Sequence, residues 1–289
     1  GERLGTHFFS FRAQVCEPKQ VGPATNMVQW IDKEDAEEKL AASVKDITIR
    51  HRFEDCLTIP EHSKHQIYTD LAASHLERYN ELRETSLLEL EDGDYLEALH
   101  AGVLVKKLLQ VASGAVYDAE GVAHTVNTER YALVIELVQQ RKHSLVAFNW
   151  AHERDSLCKL AEKAGITFAV IDGKVSAKER ISIVEHFQKG DYQVLFAHPQ
   201  SAAHGLTLTK ATTTIWTSPT YNAEHFQQFN RRIYRAGQTQ KTETILIAAR
   251  ETWEPAVYKK LDSKLTRMES LLDILRNITE LEPCKKQAN

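Results

Sequence analysis

The sequence predicts an α/β fold: a parallel sheet with helices on both faces, preceded by a mostly helical appendage. Three observations carry this. From about residue 128 onward, short apolar runs of strand length alternate with helical stretches. Before that point helical periodicity dominates and strand alternation is scarce. Charge divides at the same place: residues 1–125 carry 13 Lys+Arg against 22 Asp+Glu (net −9), and residues 126–276 carry 21 against 16 (net +5). Short apolar strands separated by helices are the pattern of a parallel sheet covered on both sides.

The chain has 289 residues, 42% hydrophobic and 26% charged, which suffices for a buried core and for two ordinary domains. No apolar run approaches the length of a membrane span. Gly1-Glu2-Arg3-Leu4-Gly5 contains neither Met nor a signal-peptide pattern, so a piece of a longer protein or a processed product is expected. Cys16, Cys56, Cys158 and Cys284 form no Cys-x-x-Cys pair and read as free thiols. His62 and His65 are the one close histidine pair with metal-like spacing, and without a second ligand pair no metal site is expected.

The elements follow in order. Residues 1–59 show no clear strand alternation, and Asp35 to Ile49 reads as a helix from Leu40, Val44 and Ile47. His65 to Asp70 reads as a short strand. Ala72 to Leu90 and Tyr95 to Val111 are predicted helices, with loops at Ser113-Gly114 and Asp118 to Thr125. Thr128 is a predicted N-cap for a helix over Glu129–Arg141. Strands are then predicted at Ser144–Phe148, Thr167–Ile171, Gln193–Ala197, Thr213–Thr217 and Thr244–Ala248. Helices are predicted between them at Glu153–Ala164, Ala177–Gln188 (capped by Ser176) and Ala223–Arg232, and a closing helix at about Thr252–Arg276.

Right-handed crossovers place the C-terminal ends of such strands on one edge, where ligands of open α/β sheets sit. The loops expected along that rim are 149–152, 172–174, 198–207, 218–224 and 250–254. After the fourth strand of the series comes the densest cluster of positive charge, Gln228-Phe229-Asn230-Arg231-Arg232-Ile233-Tyr234-Arg235-Ala236-Gly237-Gln238. Arg232 and Arg235, three apart, would share one helical face and suit an anion with several oxygens. A single short helix separates them from the rim, which they are expected to reach.

Several functions are excluded by what the sequence lacks. There is no Gly-x-x-x-x-Gly-Lys-Ser/Thr loop to cradle a triphosphate, and no Gly-x-Gly-x-x-Gly after a strand. No Gly-x-Ser-x-Gly elbow occurs, and no strand ends in paired carboxylates. The architecture suits a nucleotide, but the parts that grip one are missing. Arginines supplied to a nucleotide held by another domain would reconcile the two.

Five stretches, in order, carry a family resemblance: Ser144 to Asn149; Ile171-Asp172-Gly173 with Arg180 and Phe187 to Gly190; Ser201 to Leu208; Tyr221-Asn222; and Gln228 to Gln238. Together they resemble motifs IV to VI of the Swi/Snf-type, chromatin-remodeller-like ATPases of helicase superfamily two. In the last stretch Gln228, Arg232, Arg235 and Gly237-Gln238 match the family pattern. Thr252-Trp253-Glu254 resembles the opening of its closing helix. The departures are His204 where the family has Gly, Thr207 where it has Asn, Tyr234 where it often has His, and Arg231 where it has Asp or Gly. These departures resemble a divergent prokaryotic or phage member.

The resemblance implies a RecA-like C-terminal lobe at 128–276. It implies the tail of a first lobe at 1–60, a helical linker or protrusion at 61–127, and a terminal tail at 277–289. It implies a DNA-dependent ATPase or translocase in which a first lobe, outside this chain, holds ATP and Mg2+. Arg232 and Arg235 would then be arginine fingers, Arg235 foremost, with Gly205, Thr207 and Gln228 near the nucleotide. Asn149, Trp150, Lys174, His198, Gln200 and Ser201 would contact the backbone of DNA, duplex and without sequence specificity. Arg231 would be structural or solvent-facing. The implied location is the cytoplasm for a prokaryotic or phage protein and the nucleus for a eukaryotic one. The other reading is a non-catalytic RecA-like module that binds DNA or protein. Without the first lobe the chain is expected to be inactive.

Overall fold

A computed structural model describes residues 4–23, 27–48, 58–91, 106–117, 122–125, 129–202, 205–263 and 265. The chain divides into two units, Gly1–Thr58 with Ser263–Asn289, and Ile59–Asp262.

In the first unit, α1 (Phe8–Val15) leads into an antiparallel ribbon of β1 (Cys16–Gln20) and β2 (Val28–Asp32). Helix α2 (Ala36–Val44) follows, continued by a 3-10 turn over Lys45–Ile47. The ribbon adds strands to a front expected to be mostly helical. Four of the five β1 residues are exposed, so no apolar alternation marks it.

The second unit is built on six strands: β3 (His62–Thr69), β6 (Ser144–Ala147), β7 (Phe168–Ile171), β8 (Val194–Ala197), β9 (Thr213–Trp216) and β10 (Thr242–Ala249). They lie in the order β3-β10-β9-β6-β8-β7, and every neighbouring pair is parallel. The connecting helices are α3 (Ala73–Glu91), α4 (106–112), α5 (Glu129–Gln139), α6 (Ala151–Lys163), α7 (Ala177–Lys189), the short α8 (Pro199–Ala202), α9 (Ala223–Asn230) and α10 (254–263). A hairpin of β4 (Ala115–Tyr117) and β5 (Ala123–Thr125) occupies part of the expected 118–125 loop. Thr128, residues 95–105 of the second predicted front helix, and the closing helix past residue 265 lie outside the described residues.

Burial explains which elements the sequence revealed. β6, β8 and β9 are buried along their whole length, so each reads as an apolar run. Val146, Phe148, Val194, Phe196, Ile215, Ile245 and Ile247 form the core with Tyr131, Val134 and Val138 of α5 and Leu157 and Ala161 of α6. β3 was expected as a short strand in the helical stretch 61–127. It is instead a full eight-residue strand of the main sheet, paired residue for residue with β10. Edge position explains its polar sequence, His-Ser-Lys-His-Gln-Ile-Tyr-Thr, because one neighbour suffices and half the strand faces water.

Candidate functional site

Helix α9 is fixed to the sheet by aromatic packing. Trp216, the last residue of β9, is fully buried, with its ring 4.8 Å from Phe226 and 5.1 Å from Phe229. Its indole N–H donates to Asn230 Oδ1 at 2.9 Å. Asn222 caps the start of the helix by accepting from the His225 amide at 2.9 Å. The helix stops at Asn230, two residues before the predicted end, and Arg231 takes the C-cap position.

The arginine pair therefore stands on turns after the helix. Arg232 Nη1 and Arg235 Nη1 both donate to the Leu206 carbonyl, at 3.2 and 3.0 Å. The Leu208 amide donates back to the Arg232 carbonyl at 3.0 Å. Burial first, and the neighbouring Arg235 second, lower the pKa of Arg232. Two cations drawn onto one carbonyl repel each other, and an anion beside them relieves that repulsion.

Gly205 and Thr207 flank Leu206 in sequence, so they lie beside the arginine pair. Gly205 is exposed with φ +66°, and a Cβ built there meets nothing within 4 Å. The glycine is required by its left-handed backbone and not by crowding. Thr207 is half-buried. Gln228, further back on α9, donates to Glu224 Oε1 at 2.8 Å. Ala203 and His204 lie outside the described residues.

Leu206 belongs to the 198–207 stretch, so the pair touches one of the loops expected along the rim. Gln238 is buried, and its side-chain nitrogen donates to the carbonyls of Thr209, Ala211 and Ile233 at 3.1, 3.2 and 3.1 Å. Thr209 and Ala211 immediately precede β9, and Tyr234 packs on His62, the first residue of β3. The turn is thus anchored where strands begin. α9 starts beyond the C-terminal end of β9 and carries the chain to this turn.

At the rim, the candidate nucleic-acid residues divide into tied and exposed. Asn149 Nδ2 is spent on Ser218, 2.9 Å from its carbonyl and 3.1 Å from its hydroxyl. The amides of Asn149 and Trp150 donate to Glu153 Oε2 at 2.6 and 3.2 Å. His198 is half-buried against Phe148, with ring centroids 5.9 Å apart. Ser201 is half-buried in α8. Lys174 and Gln200 are exposed, and the Lys174 amide donates to Asp172 Oδ1 at 2.8 Å. Arg154 holds the other oxygen of Asp172 at 2.8 Å. Arg231, expected to be structural or solvent-facing, has its guanidinium carbon 5.8 Å from the Tyr234 ring.

Two supporting groups escaped sequence reasoning. Glu153 is fully buried, and burial pushes its pKa up to about 7 despite the hydrogen bonds it accepts. His152 is buried between Ser113 Oγ (3.0 Å from Nε2) and Tyr117 Oη (2.9 Å from Nδ1). Ser113 Oγ donates to the Gln110 carbonyl, so it accepts from Nε2–H, and Nδ1 accepts from Tyr117. This network fits the neutral imidazole. Burial, followed by the charge of Arg130, lowers the His152 pKa to about 4 from an ordinary 6.5. A depressed histidine stabilises the fold above the ordinary value, and that stability is lost as pH falls toward the folded value. Glu153 acts in the opposite sense, its contribution being lost as pH rises through about 7. Urea denaturation at pH 7 and pH 5 is expected to show an acid-induced loss smaller by about 2 kcal/mol in His152→Gln than in the parent. An equal loss in both would contradict the assignment.

Known proteins share this fold. Residues 129–237 match the helicase conserved C-terminal domain. The phage protein p41 of Acyrthosiphon pisum secondary endosymbiont phage 1 is 26% identical over 286 residues, 96% of this chain and 59% of that protein. An ATP-dependent helicase of Mycoplasma pneumoniae is 25% identical over 202 residues, 69% of this chain and 20% of that protein. The Sulfolobus solfataricus SWI2/SNF2 ATPase core in complex with dsDNA superposes with a TM-score of 0.60 at 18% identity, covering 86% of this chain and 54% of that one. Residues 129–237 thus carry a helicase conserved C-terminal domain on a RecA-like, six-stranded parallel sheet. The Swi2/Snf2 type recurs among the similar proteins: the Sulfolobus solfataricus SWI2/SNF2 ATPase C-terminal domain superposes with a TM-score of 0.55 at 13% identity, covering 77% of this chain and 95% of that one. It spans about three fifths of the phage protein and a fifth of the Mycoplasma helicase. No helix among the described residues is long and apolar enough to cross a membrane.

Proposed function

We propose that this chain is the second motor lobe of a DNA-dependent ATPase or translocase. Its Arg235 and Arg232 act on ATP held with Mg2+ by a preceding RecA-like lobe. The observation that carries this reading is the convergence of both guanidiniums on the Leu206 carbonyl. An arginine has five N–H donors, and Leu206 takes one from Arg235, which leaves a fork for phosphate oxygens. The residues present therefore fit the polyphosphate end of a nucleotide.

ATP supplies the phosphoryl group whose hydrolysis drives movement. This chain's part is to place positive charge where negative charge gathers. Gly205 leaves backbone space beside the pair, and Thr207 offers a hydroxyl. Gln228 acts one step removed, because its amide is engaged by Glu224.

The exposed strand-end rim is the proposed track for duplex DNA. Lys174 and Gln200, both exposed, make the direct phosphate contacts in this reading. Asn149, Trp150, His198 and Ser201 shape the loops that present them. Backbone contact of this kind reads no sequence. The Sulfolobus relative, a Swi2/Snf2 core in complex with dsDNA, supports this choice of partner.

The reading is tested first on the chain alone. With ATP, Mg2+ and duplex DNA it is expected to hydrolyse nothing above background. Robust turnover would contradict a half-site, and DNA binding by a chain that never supports hydrolysis beside any first lobe would favour a non-catalytic module.

A further inference from the structure

Tyr234 stands between the two arginines, and its ring is braced from a distant part of the chain. Its centroid lies 4.9 Å from that of His62, with the planes inclined by 37°. His62 opens the edge strand β3, and both of its ring nitrogens are held by β10. Nδ1 lies 2.8 Å from Thr242 Oγ1, and Nε2 lies 3.2 Å from Thr244 Oγ1. Two hydroxyls on one imidazole fix the ring plane, so His62 presents a set face. Burial first, then the charges of Arg231 and Lys64, lower its pKa, and the neutral form adds no further cation beside Arg231.

The helical bonding pattern weakens across the turn at Tyr234. The Arg232 amide reaches the Phe229 carbonyl at 3.0 Å, but the Tyr234 amide reaches the Asn230 carbonyl at only 3.4 Å. That is beyond the usual range for an N–H···O bond. Gln238 anchors the exit of the turn, buried Ile233 and the His62–Tyr234 ring contact anchor its middle, and only the last reaches the edge strand.

We propose that His62 is a positioning residue for the arginine pair: its ring, locked by Thr242 and Thr244, buttresses Tyr234 and so holds Arg232 and Arg235 together on the Leu206 carbonyl. This rests on the reading that the pair serves a nucleotide. It joins the first strand of the sheet unit to the last of the helicase motifs. The side chain of Tyr234, where the family pattern departs, then has a purpose in this chain.

Two measurements test it. In the 289-residue chain, residue-resolved hydrogen exchange compares the parent with His62→Ala. Exchange at the amides of Arg232, Tyr234 and Leu208 is expected to quicken by about tenfold, with β6 and β8 unchanged, because the opening is local. No change at the turn, or the same change throughout the sheet, would overturn the proposal. In the two-lobed protein, His62→Ala is expected to lower kcat for DNA-stimulated ATP hydrolysis by about 10- to 100-fold, with KM for ATP little altered, as for a displaced catalytic group. His62→Phe, which keeps a ring against Tyr234, is expected to recover most of the loss, and it also serves if the alanine variant does not fold. Arg235→Ala is measured alongside. If Arg235→Ala is silent, the nucleotide reading itself fails. If Arg235→Ala is defective while His62→Ala neither frees the turn nor lowers kcat, only the role of His62 fails.

Discussion

Replacing Arg235 with alanine in the two-lobed protein is expected to lower DNA-stimulated ATP hydrolysis by about 10³–10⁵-fold, the range for arginine fingers. The physical basis is the position of its guanidinium, 3.0 Å from a carbonyl it shares with Arg232. Charge on the transferring phosphoryl group spreads over its oxygens, and a fork placed beforehand stabilises that charge without reorganisation. Arg232→Ala is expected to cost less than Arg235→Ala. Arg235→Lys is expected to remain strongly defective, because a point charge on a flexible stem cannot reproduce a planar fork. Steady-state hydrolysis at saturating DNA reads all three. Retention of parental kcat by Arg235→Ala would remove the assigned role.

Removing Glu254 is expected to be the most damaging change to stability. Arg130 and Glu254 form a bidentate pair, 2.8 and 2.7 Å, with exposures of 5% and 0%. Arg130 also donates to the carbonyls of Thr217 and Ala112, and Glu254 accepts from the Ala249 amide at 2.7 Å. One ion pair thus ties α4, α5, the ends of β9 and β10, and α10. Breaking a buried pair from one side leaves a charge with no compensation and costs about 3–5 kcal/mol. Glu254→Ala in the 289-residue chain should lose that much in urea denaturation. The double change Arg130→Met with Glu254→Leu should lose less than Glu254→Ala alone, since it leaves no stranded charge. A loss below about 1 kcal/mol for Glu254→Ala, the scale of an exposed pair, would contradict the account.

Much of the fold was legible because its strands are buried throughout. Leu145-Val146-Ala147 and Val194-Leu195-Phe196 admit little other than interior strands, and turn signals bracket them. β3 and the β1–β2 ribbon were harder to read because edge strands and two-stranded ribbons face water and lose their alternation. The arginine pair was visible from spacing and motif order. Its setting on turns after the helix was not, because the helix was expected to run to Arg232 and ends at Asn230 with Arg231 as its cap. Contacts between residues far apart in sequence, such as His62 with Tyr234 and Arg130 with Glu254, leave no local pattern. Buried charge at Arg130, Glu153 and Glu254 becomes visible only once the chain is folded.

The central claim is that the arginine pair acts on the nucleotide in its transition state. The most direct measurement compares the affinity of the two-lobed protein for ATP and for ADP with aluminium fluoride, with and without Arg235→Ala. Groups that act only in the transition state are felt in the affinity of its analogues. The expected result is a large loss of affinity for the ADP–aluminium fluoride complex with ATP affinity nearly unchanged. Equal affinities for both ligands in parent and variant would contradict it.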